Sequence, residues 1–74
     1  MYKRKRYLAE KYDVSIRTIE RRVVWIKAHQ NRYPDDAIMY MGHIPYIRED
    51  VFEDAMFRSA AVDAGVAAPF REEE

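Results

Sequence analysis

Apolar residues recur at helical spacing over the first third of the chain, in two runs separated by a polar turn. Leu8 and Tyr12 stand four residues apart, and Ile16, Ile19, Val23 and Ile26 fall on one stripe at 100° per residue. This spacing predicts a first helix over 3–12 and a second over about 16–30. Asp13 occupies the turn between them, where a left-handed backbone is expected, and Asp tolerates that conformation better than most side chains. Val14 follows as an apolar plug, and Ser15 is a strong N-cap for the second helix.

The period then changes. Asn31 is a common C-cap and Pro34 cannot continue a helix, so residues 30–36 read as a linker. Ala37–Met41 and Ile44–Ile47 are β-prone runs on either side of Gly42-His43. Together they predict a hairpin with a type II′ turn, whose second strand Pro45 should keep at a sheet edge. Residues 48–59 predict a third helix, its acids favourably placed in the first turn and Phe52, Ala55, Met56 and Ser59 close enough to form a packing stripe. From Ala60 the chain is Ala-rich, is broken by Gly65 and Pro69, and closes on Arg-Glu-Glu-Glu. The organisation expected is one domain over 1–59, then a frayed helix end and flexible acidic tail over 60–74.

Charge alters the picture once it is divided by position. The net charge is zero, yet residues 1–33 hold ten Lys and Arg against three acids, a balance of +7, and residues 34–74 carry −7. Such asymmetry suits a chain whose first half faces a polyanion. There is no Cys for a disulfide or a thiolate site, and His29 and His43 lie too far apart to suggest a ligand pair. No apolar run approaches the ~20 residues of a membrane span, and no signal-peptide core follows the basic N-terminus, so a cytoplasmic protein is expected. No nucleophile–base pair stands out. The expectation is a binding protein without metal, cofactor or small-molecule substrate, and not an enzyme.

Arg17, Thr18 and Arg21 lie roughly opposite the core stripe of the second helix, with Arg22 at its border. Side chains near the start of a helix lying in the major groove reach base edges and phosphates, so these four and Ser15 are the candidate DNA contacts. Any one arginine is as well explained as ordinary solvated surface; the set on one face favours contact. Lys3, Arg4, Lys5 and Arg6 are candidates for phosphate contact, and His43 for contact from the hairpin tip. Val24 and Trp25 fall off the core stripe, toward the arginines. Either a following segment folds over them or they meet another protein.

With helix, turn, helix, hairpin and helix in this order, the chain resembles the excisionases, or recombination directionality factors, of phages and integrative elements. It is also similar to the wider group of small winged helix-turn-helix proteins related to MerR-type regulators. The matching residues are Leu8-Ala9, Val14-Ser15, Arg17-Thr18-Ile19 and Arg21, then Ile44 to Phe52, which looks like the second wing strand running into the following helix. The resemblance spans roughly residues 4–58 and leaves the tail aside. Two features depart from it. The hairpin tip has His43 where the family often has Arg or Lys, and the linker is long and acidic. Terminase small subunits and small phage repressors carry a similar Ser-x-Arg-Thr-Ile segment.

The fold implied is mainly α with a small β-hairpin, a winged helix-turn-helix. The function implied is that of a sequence-specific DNA-binding and DNA-bending protein in a bacterial host cell. It would bind double-stranded DNA at repeated sites, cooperatively with other copies of itself, and direct an integrase toward excision. The alternatives are a phage or plasmid transcription regulator of the same fold, a terminase-small-subunit-like DNA binder, or a protein-interaction adaptor using Val24 and Trp25.

Overall fold

In the computed structural model, which describes residues 1–71, the first apolar run forms two helices, α1 (Lys5–Tyr12) and α2 (Ile16–Ala28). Asp13 closes α1 in the left-handed region, at φ 54° and ψ 50°. Its N–H reaches back to Glu10 O and that of Val14 to Ala9 O, the paired bonds that satisfy carbonyls left open at a helix end. Ser15 Oγ then accepts from Thr18 N at 3.2 Å and starts α2. The connection between the helices is thus made by three consecutive residues, Asp13, Val14 and Ser15, whose chemistry is visible in the sequence.

α2 ends at Ala28, two residues before the predicted end. His29 leaves the helix at φ −120°, its N–H bonding to Ile26 O. The Trp25 carbonyl so released accepts from the His29 ring, whose Nδ1 lies 2.7 Å away.

The sequence predicts a two-stranded hairpin, and the described residues instead form a small α+β domain with three helices and a three-stranded antiparallel sheet. The hairpin is present as β2 (Ile38–Met41) and β3 (Ile44–Arg48), joined at Gly42, which has φ +63°. The added strand, here called β1, is Tyr2–Lys3, so Lys3 is not helical as expected. It pairs Tyr2 with Arg48 and Lys3 with Ile47, placing β3 in the centre of the sheet.

This overturns the edge assignment for the strand bearing Pro45, and the register shows why it is tolerated. Arg48 N donates to Ala37 O, so residues 44, 46 and 48 direct their backbone groups toward β2 and Pro45 directs its own toward β1. β1 has already ended there. Continued register would bring Pro45 opposite Lys5, which begins α1, so no ladder bond is lost.

α3 runs from Glu49 to Asp63, four residues past the predicted Ser59. Leu8, Ile19, Ile47, Val51 and Phe52 are fully buried and join the helices to the sheet. Each contributes about 1.5–3 kcal/mol by leaving water, and truncating Ile19 to Ala would cost about 2–5 kcal/mol. Ile16, expected on the same stripe, is exposed.

The linker is held by a buried network. Arg32 donates to both carboxylate oxygens of Asp54 at 2.9 and 3.0 Å, and Tyr33 Oη donates to Asp54 Oδ2 at 2.6 Å. Past α3, Phe70 packs edge-on against Tyr33 and Ala68 O accepts from Arg32, so residues 66–71 return over the linker. Of the frayed helix end and acidic tail expected over 60–74, residues 72–74 lie outside the described residues.

Candidate nucleic-acid interface

The pairing of β1 with β3 determines where the N-terminal basic segment goes. It anchors Lys3 in the sheet, makes Arg4 the N-cap residue of α1 and places Lys5 and Arg6 in that helix's first turn. A groove of about 810 Å³ results. It is lined by Lys3, Arg4, Lys5 and Arg6 on one side, by Ile16 at the start of α2, and by His43 and Ile44 at the hairpin turn. Five residues expected separately to touch DNA therefore share one concave surface. Tyr2, Tyr7, Glu10, Pro45 and Tyr46 also line it. The sequence reading missed these because only the β1–β3 pairing brings them there.

The rest of the candidate set follows from the rotation of α2. Arg17, Arg21 and Val24 are exposed and spaced i, i+4, i+7, a line along the helix face turned from the core. That spacing is among those from which a helix lying along the major groove reaches base edges. Val24, 66% exposed, belongs to this line. Arg22 is half-buried at the border, its Nε enclosed without a hydrogen-bond partner among the described residues. Ser15 and Thr18 face each other, their hydroxyls 3.1 Å apart, in the cap that begins the helix. Their cap role is structural whatever else they touch.

Trp25 separates from Val24. It is half-buried, stacked on the His29 ring at 3.9 Å between centroids, with Nε1 donating to Asp63 Oδ1 at 3.4 Å. The extra turn of α3 covers it.

The distribution of ion pairs sets this face apart. Arg32, Arg48 and Arg58 all have carboxylate partners, with Arg48 bridging Asp36 at 2.9 Å and Asp50 at 2.7 Å. Lys5 pairs with Glu20 at 3.4 Å, and Lys3 lies over the Tyr7 ring. Among the described residues no carboxylate lies within salt-bridge distance of Arg4, Arg6, Arg17, Arg21 or Arg22.

Helix dipoles sharpen the contrast. α1 begins with Lys5 and Arg6 and α2 has Arg17 in its first turn, with no acid in either first turn. A cation there is disfavoured, since the N-terminus is the positive end of the dipole; α3 has Glu49 and Asp50 in the corresponding turn. Of the cations in these two first turns, Lys5 is paired with Glu20, whereas Arg6 and Arg17 have no carboxylate partner among the described residues.

No family model, curated protein or solved structure matches this chain. No helix of the described residues is long and apolar enough to cross a membrane.

Proposed function

We propose that this protein is a winged helix-turn-helix that binds double-stranded DNA in a sequence-specific manner, with α2 in the major groove and the β2–β3 hairpin as the wing. The observation that carries this reading is the set of arginines without carboxylate partners on α2 and beside the groove that joins the start of α1 to the start of α2 and the hairpin turn. In this arrangement Arg17 and Arg21 address base edges or phosphates, Val24 offers an apolar contact of the kind a thymine methyl accepts, and Arg4 and Arg6 neutralise flanking phosphates.

The particular role proposed is that of an excisionase, which binds repeated sites cooperatively, bends the DNA and directs an integrase toward excision. The residues shared with that family support it, as does the absence of a long dimerisation helix among the described elements. The same fold also serves transcription regulators, which commonly bind two-fold palindromes.

Selection of bound sequences from a random duplex library, at several protein concentrations, tests both levels. One short motif in tandem copies, growing with concentration, is the expected result. A single palindrome would replace excisionase with regulator. No enrichment at low salt would refute the DNA-binding reading and favour an adaptor.

A further inference from the structure

The β2–β3 hairpin has a composition that phosphate contact does not explain. From Ala37 to Ile47 it contains no Lys, Arg, Asp or Glu, only His43 at the turn. Its exposed side chains are apolar or aromatic: Met39 at 50%, Tyr40 at 53%, Met41 at 67% and Ile44 at 39%. Successive residues of a strand point to opposite faces, so three exposed in a row mean that solvent lies on both sides of the ribbon. The hairpin therefore projects from the domain. Met41 and Ile44 are direct cross-strand partners flanking Gly42-His43, and they place an apolar pair at the end of the projection.

The position of this tip selects its partner. His43 and Ile44 line the same groove as Lys3, Arg4, Lys5 and Arg6. A polyanion attracted to that basic wall comes against the tip, and no carboxylate between 37 and 47 repels it. Apolar side chains delivered to the minor groove act as wedges, entering between base pairs and kinking the duplex by about 20–90°. The hairpin is held at its base, where Arg48 N donates to Ala37 O at 2.9 Å, and beside its tip, where Lys27 Nζ donates to Tyr40 Oη at 2.6 Å.

We propose that Met41 and Ile44 form a minor-groove wedge that unstacks one base step and bends the DNA, a task separate from the reading of sequence by α2. The proposal rests on the DNA-binding reading above and assigns the hairpin tip to bending rather than to phosphate binding. The step it opens is a flexible pyrimidine–purine step, where unstacking costs least.

The test uses the full chain and a duplex carrying the sequence enriched from the random library, with 2-aminopurine placed in turn at each step flanking the motif and donor and acceptor dyes at the ends. The wild-type protein is expected to raise 2-aminopurine fluorescence at one step and to draw the duplex ends together. The Met41→Ala/Ile44→Ala variant is expected to lose both signals while still binding a duplex with a one-nucleotide gap at that step. Met41→Leu is expected to keep both. Circular dichroism melting of each variant monitors folding; should the double variant unfold, Met41→Ser, at an exposed site, is read in its place.

Wild-type protein that binds the duplex without a fluorescence change at any step overturns the wedge and leaves DNA binding intact. Bending retained in the folded double variant also overturns it. Loss of self-association in that variant with bending unchanged overturns it in favour of a contact between copies. Failure to enrich any sequence removes the wedge together with the DNA-binding reading.

Discussion

Arg32 and Asp54 form a two-pronged ion pair across 22 positions of sequence, with both Asp54 oxygens engaged and Tyr33 donating a third hydrogen bond. Asp54 is only 8% exposed. The pair ties the linker after α2 to the middle of α3. That linker leads directly into β2, so the pair also holds the chain entering the hairpin.

Removing one partner leaves a buried charge uncompensated, at a cost of about 3–5 kcal/mol. Asp54→Asn should therefore lower the melting temperature sharply at neutral pH. The pH dependence separates this pair from packing. Burial alone would raise the Asp54 carboxyl, but the hydrogen bonds from Arg32 and Tyr33, with the Arg32 and Arg58 charges, hold it below its ordinary 3.8. A depressed folded value means that the stabilisation is complete above the ordinary value and is lost as the pH falls from there through the folded one. Melts from pH 7 to pH 2 should show the gap between wild type and Asp54→Asn narrowing below about pH 4. A constant gap would refute the account.

Among the described residues Arg17 and Arg21 have no carboxylate partner to lose. The Arg17→Ala/Arg21→Ala variant should keep its stability to within about 0.5 kcal/mol, as surface substitutions usually do. Its affinity for the selected duplex should fall by about 1–3 kcal/mol for each base contact removed. Fluorescence anisotropy titration beside a thermal melt reads both quantities, and unchanged affinity would count against α2 as the reading helix.

Arg4 and Arg6 are expected to touch phosphates rather than bases. Arg4→Ala/Arg6→Ala should weaken binding to all duplexes by a similar factor. It should also flatten the dependence of log K on log salt by about 0.9 for each phosphate released. A change in the preferred sequence with no change in slope would move these residues to base reading.

Asp13 carries a left-handed backbone without being glycine. The steric cost of that conformation is about 1–2 kcal/mol, partly offset by the lower chain entropy that a non-glycine residue loses on folding. Asp13→Gly should raise stability by about 0.5–1 kcal/mol, seen as a higher denaturant midpoint with an unchanged slope. A lower midpoint would show that the Asp side chain contributes something that its contacts do not reveal.

Local chemistry made much of this protein legible. Asp13 in the turn, Ser15 as the cap, Gly42 in the hairpin turn and the Ile19–Val23–Ile26 stripe are governed by neighbours within four residues. Their backbone preferences and periodicity act before any tertiary contact forms. The exposed line of Arg17, Arg21 and Val24 is implicit in the same 100° rotation, whereas the burial that separates Trp25 from Val24 is not.

Tertiary structure decided what depends on distant pairing. Lys3 reads as the start of a helix because nothing local distinguishes it, and only the pairing of Tyr2 and Lys3 with Arg48 and Ile47, more than forty residues away, draws it into the sheet. That pairing puts Pro45 in a central strand and turns the basic tetrad into one wall of a groove facing His43. Trp25 gained its cover from Asp63, which lies beyond the predicted end of α3. The sequence by itself determined the helices, the turns and which residues carry positive charge, because propensity, capping and period are local. Which of those charges are neutralised and which remain open to a partner was decided by the fold, because an ion pair such as Arg32–Asp54 depends on proximity in space rather than in sequence.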